Sequence, residues 1–186
     1  MPVQPLSPAI LQRHPNTPAS PVGWIKAFPR IERRLLALTY VVKGDIERLR
    51  APTAKSPRRV PGLWRHTCFE AFIAVKGSRS YYEFNFSPSG EWAAYSFRSY
   101  REGSPLENER LQPGITVRRD ASTLELSADI HLDHLPAAGK GASLWLGLSA
   151  VIEDTEGRLS YWALTHPPGK PDFHYPDSFI LHFSRR

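Results

Sequence analysis

Cysteine is nearly absent: Cys68 stands alone in 186 residues. This excludes an intramolecular disulfide, a cysteine-based zinc ribbon and an iron–sulfur cluster held by this chain alone, and it suits a reducing, cytoplasmic setting. Long apolar runs are missing as well. No stretch approaches the ~20 apolar residues that cross a bilayer, and the start MPVQPLSPAILQRHPNTPASP has no basic head leading into an apolar core. Neither secretion nor a membrane partner is expected. Acidic side chains are scarce in the first third, where residues 1–65 carry 12 Lys and Arg against 3 Asp and Glu, net +9, while residues 66–186 carry 12 against 15, net −3. The basic residues Arg30, Arg33, Arg34, Arg48, Arg50, Lys55, Arg58, Arg59 and Arg65 are scattered through turns and strand edges. Without a basic face carrying aromatics or a recognition helix, nucleic acid is not an expected partner. Glycine-rich phosphate loops and serine-centred elbows are also lacking.

What the chain does have is aromatic residues at 11%, with 18 prolines and 12 glycines. Large side chains to bury and frequent turns are the bias of all-β domains. The length suits one domain, which on folding hides roughly 70% of the extended chain's surface. The proline-rich residues 1–21 are expected to run extended over the surface or fray, ahead of a single domain at 22–186. The run RRLLALTYVV at 33–42 reads as a strand covered on both faces. CFEAFIAV (68–75), YYEFNFS (81–87) and EWAAYSFRSY (91–100) read as a meander joined by the short turns KGSRS and SPSG. In TLELSADIHL, Leu124, Leu126, Ala128, Ile130 and Leu132 share one face, with polar residues on the other. SLWLGLSAVIED, GRLSYWALTH and SFILHF close the chain as further strands, with PPGKPDFHYPD as a long loop. Eight to ten strands without a helical pattern predict an all-β fold: a two-sheet antiparallel β-sandwich of jelly-roll or immunoglobulin-like type.

Three of these strands break the usual alternation. Glu70 lies between Cys68 and Phe72 on one face of its strand, and Glu83 shares a face with Tyr81 and Asn85. A buried carboxylate is costly unless something pairs with it. On the third strand Trp92, Ser96, Arg98 and Tyr100 share a side, which makes Arg98 a candidate partner for Glu70 or Glu83. Acids, an amide, a guanidinium and flat rings on one patch suit a sugar, whose apolar C–H face stacks on aromatic rings while polar groups take its hydroxyls. Spacing alone leaves a structural ion pair open as the other reading. His66, Cys68 and Glu70 could also form a Cys-His-Glu nucleophile set centred on Cys68, or Cys68 could be a small apolar filler. Neither His166, Asp172, His174 and Asp177 nor Asp129, His131, Asp133 and His134 has a recognised metal-ligand spacing.

LWRHTCFEAFI at 63–73, YYEFNFSPSGEWAAY at 81–95, PDFHYPDSFILHF at 171–183 and RHPNTP at 13–18 resemble the bacterial DOMON-like proteins, relatives of carbohydrate-binding module family 9. The resemblance implies a β-sandwich with a pocket for a sugar or a haem. In the sugar-binding modules a tryptophan precedes a strand glutamate by six positions, as Trp64 precedes Glu70; it would stack on the sugar while the glutamate accepts a hydroxyl. The loop before the last strand supplies the second platform, and this chain offers Phe173, His174 and Tyr175 there in place of tryptophan. The haem branch ligates iron through Met with His or Lys, and Met1 is the sole methionine, so a haem would need His66, His166 or His174. The relatives' calcium sites are structural. Together these readings give a non-catalytic domain that binds a carbohydrate or similar polyhydroxylated compound, with no catalytic residue and no obligatory cofactor. Trp64, Trp92, Phe173 and His174 would wall the pocket, and Glu70, Glu83, Asn85 and Arg98 would read the ligand.

Overall fold

The computed structural model describes residues 7–53, 55–138 and 141–184. Among the described residues twelve strands follow one another: β1 (Ala9–Arg13), β2 (Val22–Glu32), β3 (Leu35–Gly44), β4 (Cys68–Val75), β5 (Tyr81–Phe86), β6 (Trp92–Ser99), β7 (Glu102–Pro105), β8 (Gly114–Arg119), β9 (Thr123–His131), β10 (Leu144–Glu153), β11 (Leu159–Ala163) and β12 (Leu181–Phe183). Helical structure among the described residues is confined to single 3-10 turns such as Leu63–Arg65. Every pairing between these strands is antiparallel. One sheet runs β1-β2-β3-β9-β8 and the other β7-β6-β5-β4-β10-β11-β1, with β12 beside the first residues of β10. The result is an antiparallel β-sandwich.

The core follows from period-2 patterning. Leu36, Leu38, Tyr40 and Val42 of β3 and Leu124, Leu126, Ala128 and Ile130 of β9 point inward from the first sheet. Phe69, Ala71 and Ile73 of β4, Phe84 and Phe86 of β5, and Leu144, Leu146 and Leu148 of β10 meet them from the second, all in one continuous cluster. Each such Leu or Phe contributes roughly 1.5–3 kcal/mol by leaving water, so this core holds the sheets together without a covalent staple.

Several elements differ from the sequence reading, among them the short strand β7, which it did not include. Within residues 1–21, Ala9–Arg13 is a strand that pairs with β2 on one side and β11 on the other, and Leu11 is buried in the core. β2 was hidden by Pro29 and by its exposed Trp24 and Phe28. Pro29 lies beyond the last residue that β1 pairs, where β2 is an edge and a missing N–H costs little. β3 alternates between buried and half-buried positions, so one face is fully covered and not both.

The second sheet is unusual on its outward face. The loop between β11 and β12 folds over it: Phe179 stacks on Phe72 with ring centroids 5.5 Å apart and meets Tyr81 edge-on at 5.4 Å. Gly147 makes room for this, since a Cβ there would lie 2.5 Å from Phe179 Cδ1. Covered on both sides, all of β5 is buried.

Candidate ligand-binding site

Between that loop and the sheet lies a cavity of about 390 Å³, lined by Trp64, Glu70, Glu83, Tyr95, Phe97, Arg101, Val151, Tyr161, Pro171, Phe173 and His174. Strand register brings the acids there. Glu70 pairs with Asn85 and Phe72 with Glu83, so the two carboxylates are diagonal neighbours on adjacent strands, with Cα atoms roughly 7–8 Å apart. Both are almost fully buried. Ser149, opposite Glu70 on β10, donates its hydroxyl to Glu70 Oε2 at 3.2 Å, and Asn85 Nδ2 donates to Glu83 Oε1 at 2.9 Å.

The electrostatics of this pair follow from burial. Loss of water pushes Glu70 well above the carboxylate range, and the nearby Glu83 charge adds to the rise. Burial lifts Glu83 to about 7 against the pull of the Asn85 hydrogen bond and the Arg101 charge. Burial therefore opposes ionisation of both carboxyls at once.

His174 completes the wall. The backbone N–H of Arg101 donates to the Tyr81 hydroxyl at 3.1 Å, and that hydroxyl lies 2.9 Å from His174 Nδ1. His174 Nε2 lies 3.5 Å from Glu83 Oε2, and with the hydroxyl donating to Nδ1 it is Nε2 that carries the imidazole proton. Burial, reinforced by the Arg101 charge, holds His174 down to about 4. The contact has ion-pair distance but is a neutral imidazole facing a carboxyl at pH 7. Asp172 anchors this loop: it accepts from the Arg101 guanidinium at 2.8 Å, from the Tyr100 hydroxyl and from the backbone N–H of His174 at 3.0 Å.

Of the residues singled out from sequence, Trp64, Glu70, Glu83, Phe173 and His174 line the cavity. Trp64 stands on the 3-10 turn Leu63–Arg65, entered through Gly62 at φ 76°, and is 48% exposed at the rim. Asn85 lies behind Glu83 and supports it. Trp92 and Arg98 are elsewhere. Asn85 pairs with Ala93 and Glu83 with Tyr95, so the odd-numbered residues of β6 share the acids' face and the even-numbered ones do not. Trp92 is buried in the core between the sheets, with the Arg59 guanidinium 4.6 Å from its ring, and Arg98 is solvent-exposed and paired with Glu102 at 3.1 Å. The cation beside the acids is Arg101, in the β6–β7 turn at φ 57°. Tyr95, Phe97 and Tyr161 were also missed. The first two could have been found by pairing β6 through Ala93, whereas Arg101 lies past the strand, where no periodicity applies.

The other chemistries do not fit. Burial, with the Glu70 charge second, drives the Cys68 thiol well above its ordinary value. It packs with Leu63 and Ala93, while His66 Nδ1 is engaged by Glu153 at 2.7 Å. A nucleophile needs the opposite environment. For haem, the histidines are not gathered at one site: His174 lines the cavity, His66 and His166 do not, and His166 Nε2 is taken by the Gln12 carbonyl at 2.8 Å. Met1 lies outside the described residues. Two carboxyls on the cavity floor also suit a porphyrin poorly. No group of three His, Cys, Asp or Glu among the described residues is placed to hold a metal ion, so neither sequence-level cluster fits calcium. Asp133 faces Arg34 at 3.9 Å, and Asp172 is taken by Arg101.

No family model and no curated protein matches this sequence. Solved structures similar to it include a Bacteroides uniformis protein provisionally described as carbohydrate-binding, with a TM-score of 0.67 at 17% identity over 93% of this chain and 83% of that one. A family 9 carbohydrate-binding module from Caldicellulosiruptor kristjanssonii in complex with cellotriose gives 0.59 at 12% identity, covering 96% and 81%. A structure of a family 9 module from the same organism in complex with glucose gives 0.51 at 12%, covering 94% and 83%. The shared property is the fold, that of the family 9 modules.

Proposed function

We propose that this chain is a non-catalytic carbohydrate-binding domain whose cavity takes one saccharide unit. The observation that carries the reading is the cavity itself: a half-open space at the small end of the range for ligand pockets, lined by aromatic rings and hydrogen-bonding acids. A pyranose fits that division of labour. Its C–H face lies against Trp64 or Phe173, and Glu70 and Glu83 take its hydroxyls. The sugar complexes of modules with this fold support the same ligand class. Within that class we group the chain with the DOMON-like proteins on the segments 13–18, 63–73, 81–95 and 171–183, and we assign it to the cytoplasm on its lone cysteine.

Tryptophan fluorescence tests this directly, because Trp64 stands at the rim. Titration with a panel of mono- and disaccharides is expected to give a saturable change with at least one of them. Trp64→Ala should abolish the signal and weaken binding more than about tenfold by calorimetry with the far-ultraviolet circular dichroism unchanged. Full binding by Trp64→Ala, or no response to any saccharide, overturns the reading.

A further inference from the structure

The floor of the cavity has more hydrogen-bond acceptors than donors. Glu70 and Glu83 bring four carboxylate oxygens, and Asn85 Oδ1 is buried with no hydrogen-bond partner. Against these stand the Ser149 hydroxyl and Asn85 Nδ2, with His174 Nε2 at 3.5 Å. The floor is short of positive charge too. Among the described residues, His174 is the one basic group within 4.0 Å of either carboxylate, and it is neutral at pH 7. Arg101 is close enough to be felt but is bound to Asp172 at 2.8 Å. The same cavity is lined by five π-systems, Trp64, Tyr95, Phe97, Tyr161 and Phe173, a type of surface that attracts cations.

A sugar hydroxyl offers one donor and no charge; an ammonium offers three donors and the missing charge. We propose that the ligand is an amino sugar with a free ammonium group, seated between Glu70 and Glu83 in this aromatic-lined cavity. This rests on the carbohydrate reading and narrows it. The unliganded pair holds a proton in place of a cation, and an arriving ammonium displaces that proton to solvent while keeping its own. Both carboxylates are then ionised around it. The titratable groups around the pair are Cys68, Tyr40, Tyr81, Arg101 and His174, with Tyr95 and Tyr161 also on the cavity lining and Asp172 one step further out, bound to Arg101. Cys68, Tyr40 and Tyr81 stay protonated and His174 stays neutral, so the exchanged proton belongs to the two glutamates.

Calorimetry at pH 7 in two buffers of different ionisation enthalpy tests this, with glucosamine, galactosamine and mannosamine set against their parent sugars and N-acetyl derivatives. At least one amino sugar should bind more than about tenfold tighter than its parent and its N-acetyl form. Its binding should release protons to the buffer. Glu83→Gln, and separately Glu70→Gln should the first misfold, is expected to erase both that preference and the proton release, leaving the amino sugar bound no more tightly than its parent sugar. Equal affinity for charged and neutral sugars, or no proton release, overturns the ammonium assignment and leaves the carbohydrate reading standing. Cyclohexylamine binding as tightly as the best amino sugar, with no neutral sugar bound, overturns the carbohydrate reading. No binding by any probe overturns both.

Discussion

Glu83 and His174 face each other with displaced titrations, and their effects on stability have opposite signs. Burial raises Glu83 from 4.5 to about 7, so the folded protein keeps a proton that the unfolded chain has lost. Its contribution is fully present below pH 4.5 and is lost as pH rises towards 7. That difference is worth roughly 3 kcal/mol. His174, lowered from 6.5 to about 4, is neutral when folded, and its contribution is present above pH 6.5 and lost as pH falls towards 4. In urea unfolding, Glu83→Gln should therefore be more stable than the wild type at pH 8 by up to roughly 3 kcal/mol, with no gain at pH 4.5. Acidification of that variant below pH 6.5 should then destabilise it through His174. A pH-independent difference between the two proteins would count against a raised Glu83.

The cavity's roof is held on by a few polar contacts. Asp172 ties the loop before β12 to the β6–β7 turn through Arg101 and Tyr100. Although burial acts the other way, those hydrogen bonds keep its carboxyl below the ordinary range. The Arg101 side chain is 52% exposed, so the pair adds little stability, less than about 1 kcal/mol. Its effect is to preorganise Phe173 and His174. Asp172→Asn should leave the urea midpoint nearly unchanged and weaken ligand binding roughly two- to tenfold, the cost of ordering the loop on association. Unchanged affinity by calorimetry would show that the roof is fixed by Phe179 packing alone. The loop itself was readable from its prolines, but its attachment points were not, because Arg101 and Asp172 are far apart in sequence.

β1 is the strand shared by both sheets. It pairs with β2 through Ala9, Ile10 and Leu11 and with β11 through Gln12 and Arg13, and Leu11 is 2% exposed. Leu11→Ala should cost roughly 2–5 kcal/mol in urea unfolding; a peripheral arm would give less than about 0.5 kcal/mol. The charge asymmetry of the sequence also resolves across the whole molecule. Arg50 pairs with Glu153 at 2.9 Å, Arg58 with Glu91 at 2.7 Å, and Arg34 and Arg48 with Asp133 and Glu156, each at 3.9 Å. The basic first third is spread along the acidic remainder instead of forming a single cationic face.

Alternation of apolar residues, a local property, was enough to identify the sandwich, most of its strands and the two out-of-place glutamates, since every second side chain of a strand must share a face. Which neighbours those glutamates meet depends on register and on what covers the sheet, and both are set by contacts between distant segments. A one-residue choice of pairing on β6 exchanged Tyr95 and Phe97 for Trp92 and Arg98. Only the folded chain, with its loop closed over the outward face, turned two costly carboxylates into the floor of a cavity.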